Sequence, residues 1–243
     1  MSFSIAGKTA IVTGAANGIG LAIARQFAEK GANVMFADMD ETRLVDELGE
    51  QAEDGNVRYF AGDLREKLTI ANLLSATIDA FGQVDVLVNA VGPTRVLPVA
   101  LLDGADWDEL NRAVARSTFV FSRAALRPMI RARSGRILNI GSFAVQRIVD
   151  GPVHYAAAKG AVVAFTRSLA REVGRYGITV NCLSPGLMSG GISAGLPAHR
   201  VEEFRSQCAL GRLGEPDELA GIALFMVDTP FMTGVNLVAD GGL

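Results

Sequence analysis

Tyr155 and Lys159 stand four residues apart in Val153-His154-Tyr155-Ala156-Ala157-Ala158-Lys159, within a stretch whose apolar periodicity predicts a helix over 154–174. At i and i+4 the phenol and the ammonium share one helix face, within reach of one another. A free phenol titrates near ~10, too high for ready proton exchange at neutral pH. A neighbouring positive charge favours the phenolate and lowers that value. Tyr155 would then serve as a general base toward an alcohol and as a general acid toward a carbonyl. Ser142, at the end of a predicted strand over 136–141, adds a hydroxyl that would fix the reacting oxygen. Its surroundings, Ile140-Gly141-Ser142-Phe143-Ala144, are not the GxSxG turn of a hydrolase nucleophile. His154 points ~100° away from Tyr155 on an ideal helix and reads as a packing or interface residue. His199 reads as a loop-surface residue.

A second constellation lies near the start, in Thr13-Gly14-Ala15-Ala16-Asn17-Gly18-Ile19-Gly20. A predicted strand over 9–13 precedes it and a predicted helix over 18–30 follows, the context in which such a loop binds a dinucleotide. Gly14 permits the tight turn, Gly18 lets the backbone approach a pyrophosphate, and Gly20 lets helix pack close on strand. The helix N-terminus offers the phosphates free N–H donors and partial positive charge. Gly7-Lys8-Thr9 looks like the end of a P-loop, but it precedes the strand, and Ser2 stands where the first P-loop glycine belongs. Asp38 closes the second predicted strand, 18 residues past Gly20. A carboxylate there accepts hydrogen bonds from both ribose hydroxyls and repels a 2′-phosphate. No Arg or Lys occupies 37, 39 or 40, and Asn17 holds the loop position from which a basic residue would grip that phosphate, so NAD is favoured over NADP. The plainer reading of Asp38 is a solvated turn residue, beside Asp40 and Glu41, that caps the next helix.

The elements that must position these groups follow from short apolar runs alternating with helix-period segments. Strands are predicted over 9–13, 33–38, 57–61, 84–89, 136–141, 179–183 and 236–238, with helices over 18–30, 41–50, 66–81, 106–132, 154–174 and 215–227. Near-continuously apolar strands, each followed by a helix, imply an α/β fold: a single doubly wound parallel-sheet (Rossmann) domain over 1–243, about seven strands with helices on both faces. No linker, repeat or low-complexity tract divides it. The glycine-rich stretch 186–196, followed by Pro197, reads as part of a substrate lid over about 187–208. The net charge of −3 argues against nucleic acid as a partner, and no apolar run or N-terminal signal core suits a membrane or secretion. Cys182 and Cys208 stand far apart outside any CxxC, which implies a reducing cytoplasm and no metal site.

Taken together, these residues resemble the short-chain dehydrogenase/reductase family over essentially the whole chain. Thr13 to Gly20 meets that family's TGxxxGIG pattern, and Ser142, Tyr155 and Lys159 match its Ser and YxxxK. Asp63-Leu64 matches the adenine-contacting pair after the third strand. Asn89-Ala90-Val91-Gly92 matches NNAG, with Ala90 and Val91 as departures, and Pro185-Gly186 matches the turn flanking the nicotinamide. The resemblance implies that Lys159 also holds the nicotinamide ribose. It implies a homo-oligomer, a dimer or a tetramer.

The same resemblance exposes a departure. The family places an Asn seven residues after the position of Trp107, where it helps hold a water that links the lysine to solvent. That position is Val114 here, on an expected inward stripe with Thr118, Phe121 and Ala125. Val cannot hydrogen-bond a water, and Asn111, one turn earlier, points ~60° away from it on an ideal helix. Two outcomes follow: an active enzyme whose proton leaves by another route, or a slow or non-catalytic dinucleotide-binding protein. From Leu110 through Arg136 there are seven Arg and no acid, and Arg112, Arg116, Arg123, Arg127 and Arg131 form a stripe roughly opposite Val114. This is a solvated or subunit-facing side, or a contact for an anionic partner such as an acyl-carrier protein. The expected activity is hydride transfer between NAD and a small secondary alcohol or ketone, with a 3-oxoacyl thioester reductase as the alternative. A substrate pocket is expected from 93–97, 143–150 and the lid, mixing Phe143, Val145, Val149 and Leu187 with Gln146, Arg147 and Asp150.

Overall fold

Every residue of strand β1 (Thr9–Thr13) is buried, because both faces of the strand are covered. Ala10 and Val12 enter one apolar cluster and Ile11 the other, the period-two alternation of a strand read from both sides. In the computed structural model, which describes residues 3–52, 55–92, 98–147 and 151–243, this strand is the pivot of a seven-stranded sheet. Its order is β3 (Val57–Ala61), β2 (Asn33–Asp38), β1, β4 (Val86–Asn89), β5 (Gly135–Ile140), β6 (Ile178–Pro185), β7 (Asn236–Ala239), and every pairing is parallel.

Apolar stripes on the helices fill the two faces. Helices α1 (Gly18–Glu29), α2 (Glu41–Leu48) and α8 (Pro216–Asp228) press Ile23, Phe27, Leu44, Leu219 and Met226 onto one face. Helices α3 (Lys67–Phe81), α5 (Ser117–Ala132) and α6 (Val153–Val173) cover the other with Ile70, Leu73, Phe121, Met129, Leu169 and Val173. Helices wound on both faces of a parallel sheet leave the carboxyl ends of the strands as the open edge, and the order reverses between β1 and β4. There Thr13 pairs with Asn89, and the Thr13 hydroxyl donates to the Val88 carbonyl at 3.2 Å while accepting from the Ala90 N–H at 3.1 Å. A Cβ on Gly14 would stand 2.9 Å from the Ala90 carbonyl oxygen, and one on Gly20 would stand 2.1 Å from that of Gly14. Only glycine allows the loop to close this tightly.

The expected architecture is present, with local corrections. The fourth strand begins at Val86 instead of 84 and the sixth runs on to Pro185. The helix expected over 106–132 is α4 (Gly104–Asn111), a widened turn over Arg112–Arg116, and then α5. The expected lid contains a tight helical turn over Gly191–Gly195 and a helix, α7 (Ala198–Gln207), which its mostly polar composition concealed.

Candidate active site

A cavity of about 460 Å³ opens along the carboxyl ends of the strands. Gly14, Asn17, Gly18, Ile19 and Gly20 line its first end together with Asp38, Asp63 and Leu64. Gly92, Ser142, Tyr155, Lys159, Pro185 and Gly186 line the remainder. Of the catalytic and cofactor-binding residues singled out in the sequence, Asn89 is the exception. Its side chain is buried in the core, where Nδ2 donates to Asn139 Oδ1 at 2.8 Å, and Ala90, Val91 and Gly92 form the wall in its place.

The first end has the form of a dinucleotide cradle. Gly14 and Gly18 hold φ of +69° and +54°, which side chains rarely adopt, and α1 begins at Gly18 with its N–H groups facing the loop. Asp38 Oδ2 accepts from the Ala16 N–H at 3.1 Å, and Oδ1 accepts from Met39 at 2.7 Å and Asp40 at 3.1 Å. The capping role considered for Asp38 belongs to Asp40, whose carboxylate accepts from Arg43 N. Asp63 is gripped by Arg65 through two bonds of 2.9 and 2.8 Å, and this guanidinium holds its carboxyl well below the usual range, at about 2. Arg65 also lines the cavity. It was missed in the sequence, where the positions beside Asp38 and the glycine-loop position of Asn17 are the ones expected to carry a cation; the Asp-x-Arg spacing was the available signal.

At the other end, Ser142 follows β5 and caps a tight turn, its Oγ accepting from Ala144 N at 3.3 Å. Tyr155 lies close enough for this hydroxyl to favour its phenolate. One helical turn on, the buried Lys159 Nζ donates to the Ile140 carbonyl at 2.7 Å and stands 5.7 Å from the Tyr155 ring centre. The expected lowering of the phenol is not found. Burial pushes Tyr155 up to about 12, against the pull of Ser142. Lys159 cannot reverse this, because burial pushes the amine down to about 8 and its ammonium is spent on Ile140. Behind it, burial raises the Cys182 thiol to about 11, so a neutral sulfur faces the lysine at physiological pH.

Val114 is 1% exposed and packs with Leu110, Ala158, Val162, Val163 and Cys182, with Tyr155 at the edge of the cluster. It lies in the widened turn, where the Ser117 N–H reaches back five residues to the Arg112 carbonyl. Carbonyls freed by that geometry are taken up by the Ser117 hydroxyl, which donates to Ala113 and, at 3.2 Å, to Val114. Asn111 does not replace the missing amide: its Nδ2 donates to the Trp107 carbonyl at 2.9 Å. Thr118, Phe121 and Ala125 are buried as the stripe requires. The five-Arg stripe is exposed, with Arg112 paired to Glu66 and Arg116 donating to the Arg65 carbonyl.

The lid lies close over the glycine loop. A Cβ on Gly18 would meet Gly191 Cα at 3.5 Å, and Ser189 and Leu187 exchange backbone bonds with Gly214 at 2.8 and 3.0 Å. Leu187, Met188, Leu196, Arg200, Glu203, Phe204 and Gln207 line the cavity from this side, with Phe143 and Ala144 facing them. Three residues expected in the pocket lie elsewhere: Val145 packs against the Val114 cluster, Gln146 is exposed, and Arg147 pairs with Asp240 at 3.2 Å. Residues 93–97 and 148–150, with the expected contributions of Val149 and Asp150, lie outside the described residues. His154 is buried and His199 exposed. Among the described residues, no group of three or more His, Cys, Asp or Glu could hold a metal.

Comparison with known proteins gives concordant results. The sequence model of a family described as enoyl-(acyl carrier protein) reductase matches residues 14–243. The chain is 38% identical to a (2S)-[(R)-hydroxy(phenyl)methyl]succinyl-CoA dehydrogenase subunit, BbsD, of Thauera aromatica, over 98% of this chain and 97% of the relative. It is 36% identical to the 3-oxoacyl-[acyl-carrier-protein] reductase FabG of Vibrio cholerae, over 99% and 98% of the two chains. An Agrobacterium tumefaciens crystal structure with a provisional gluconate dehydrogenase assignment superposes with a TM-score of 0.92 at 29% identity, covering 99% of this chain and 97% of that one.

Two measurements test the site. The unfolded chain keeps the Lys159 proton up to about 10.5 and the folded chain only up to about 8, so between these values the unfolded state binds more protons and stability rises with pH. Lys159→Met, compared with wild type by thermal unfolding, is expected to be the more stable at pH 7 and to lose that advantage by pH 10; a pH-independent difference refutes the buried charge. Val114→Asn places an amide in an apolar cluster and is expected to cost about 1–3 kcal/mol. Turnover should stay within about twofold of wild type, since position 114 is enclosed by Leu110, Ala158, Val162, Val163 and Cys182. A rise in turnover at any pH would mean that the interior relay limits the reaction.

Proposed function

The chain belongs to the short-chain dehydrogenase/reductase family and is an oxidoreductase, and we propose that it moves a hydride between NAD and a small secondary alcohol or its ketone. The observation that carries this reading is the meeting in one cavity of the glycine loop and Asp38 with Ser142, Tyr155 and Lys159. When bound, the nicotinamide supplies or accepts the hydride. The chain's own groups do the rest. Gly14 to Gly20 and the N-terminus of α1 hold the pyrophosphate, Asp38 receives the ribose hydroxyls, and Asp63, Leu64, Gly92, Pro185 and Gly186 wall the remainder of the dinucleotide. Ser142 donates to the substrate oxygen. Tyr155, protonated at neutral pH because its phenol titrates near 12, is in the state that donates to a carbonyl. In the oxidative direction the phenol must be lowered by positive charge brought into the cavity, and Lys159 adds to it once it turns from Ile140 toward the ribose.

A second reading, a 3-oxoacyl thioester reductase using NADPH, is favoured by the similarity to FabG, at 34% identity over 100% of this chain for the Chlamydia pneumoniae protein. Asp38 opposes it, because a 2′-phosphate would meet a carboxylate already fixed on the loop through Ala16. A reducing cytoplasm suits the two buried, unpaired cysteines. Among the described residues no helix is long and apolar enough to cross a membrane. A homo-oligomer, dimer or tetramer, would cover Phe119 and Phe165, an edge-to-face pair with Phe119 46% exposed.

Fluorescence titration is expected to show NADH binding at least about tenfold tighter than NADPH, and Asp38→Ala to reduce that ratio. Tighter NADPH binding would favour the thioester reductase. In a panel of hydroxy acids, sugar alcohols and cyclic and acyclic secondary alcohols, Tyr155→Phe is expected to lower turnover by about 10²–10⁴-fold with coenzyme binding unchanged. Binding without turnover anywhere on the panel would identify a non-catalytic dinucleotide-binding protein.

A further inference from the structure

Helix α7 is polar along most of its length, and of its ten residues Phe204 is the one buried side chain. Its ring does two things inside the cavity. The ring tip lies against the turn after β6, where a Cβ on Gly186 would stand 3.0 Å from Phe204 Cζ. The ring also meets Phe143 edge to face, with centres 5.5 Å apart and planes at 75°. Phe143 follows Ser142 and Gly186 follows Pro185, so the pair spans the gap between the hydroxyl that would hold the reacting oxygen and the turn at the far wall. Ala144, Leu187, Met188 and Leu196 continue the apolar surface. The charged residues that α7 contributes, Arg200 and Glu203, pair with each other at 3.3 Å.

We propose that the carbon undergoing oxidation or reduction carries an aryl group, seated against Phe143 and Phe204. The proposal rests on the oxidoreductase reading above and narrows its substrate class. A wall of aliphatic side chains accepts any apolar group of the right volume, and discriminates by shape alone. An edge-to-face pair presents a quadrupole, with one ring's electron-rich face and the other's positive edge, and a third ring completes that arrangement as a saturated group of equal size cannot. Phe204 has a second role: it fixes α7 to the body of the protein, so the group that recognises the substrate is also the group that closes the lid.

The test uses the full chain with its coenzyme and three alcohols: 1-phenylethanol, 1-cyclohexylethanol and 2-butanol. We expect kcat/KM for 1-phenylethanol to exceed that for 1-cyclohexylethanol by about tenfold. Phe143→Leu should shrink that ratio to about threefold or less with the coenzyme KM unchanged, and Phe204→Leu should shrink it as far. Equal values for the two ring alcohols, or a ratio retained in both variants, overturn the proposal. If no alcohol is turned over while NADH binds, the small-alcohol reading fails separately, and calorimetry still decides the aryl site. Acetophenone binding the protein–NADH complex more tightly than cyclohexyl methyl ketone, with the difference lost in Phe143→Leu, supports the site; equal affinities overturn it. Should Phe204→Leu fail to fold, Phe143→Leu carries the comparison alone.

Discussion

The Thr13 hydroxyl, at the end of β1, donates to Val88 in β4 and accepts from Ala90 just beyond it, and so fixes the gap at which the sheet changes direction. Everything functional in this molecule hangs on that gap. Parallel strands need crossovers, the crossovers place helices on both faces, and the one edge left open is where the strands end. By tying β1 to β4, Thr13 brings a loop from near residue 14 alongside Gly92 and Lys159, which a chain of this length could otherwise hold far apart. The glycines serve the same constraint. At Gly14 and Gly20 a single added carbon would collide with backbone that cannot move without opening the gap.

Behind the gap, a buried polar ladder stiffens the site's floor. Asn89 donates to Asn139, and Asn139 donates to Thr166 at 2.8 Å, linking β4, β5 and α6 by side chains that have no water to fall back on. Thr166 lies seven residues along α6 from Lys159, so this ladder also sets the rotation of the helix that carries the lysine and Tyr155. The result is a buried ammonium held in place by the Ile140 carbonyl, and a phenol that burial keeps protonated until charge arrives.

The sequence was most readable where a physical pattern had a single solution. The three strands over 9–13, 33–38 and 57–61 have the expected bounds, closed by Gly14, Asp38 and Gly62. Residues 14–20, 142, 155 and 159 stand on one cavity because their spacing leaves the fold few other ways to use them. What escaped were interactions between distant segments. The Tyr155 shift comes from burial, which depends on segments distant in sequence and which i, i+4 geometry cannot reveal. Asn89 looked like a wall residue because its neighbours are; which way it turns is decided by Asn139 on the next strand. Helix α7 lacks an apolar stripe, so periodicity had nothing to detect beyond Phe204.

The widened turn at 112–116 absorbs one residue more than a regular helix would hold, since the Ser117 N–H reaches back to Arg112 and takes the place its predecessor would have in an unbroken helix. Phe121, Ala125 and Met129 therefore face the sheet in the register of a chain one residue shorter. Deleting one position within the turn would let α4 run straight into α5 with that register kept, whereas deleting one position farther along α5 would rotate all that follows by ~100° and turn its buried side chains out of the core. The widened turn is thus the place where this long helical segment can change length by one residue without moving the core.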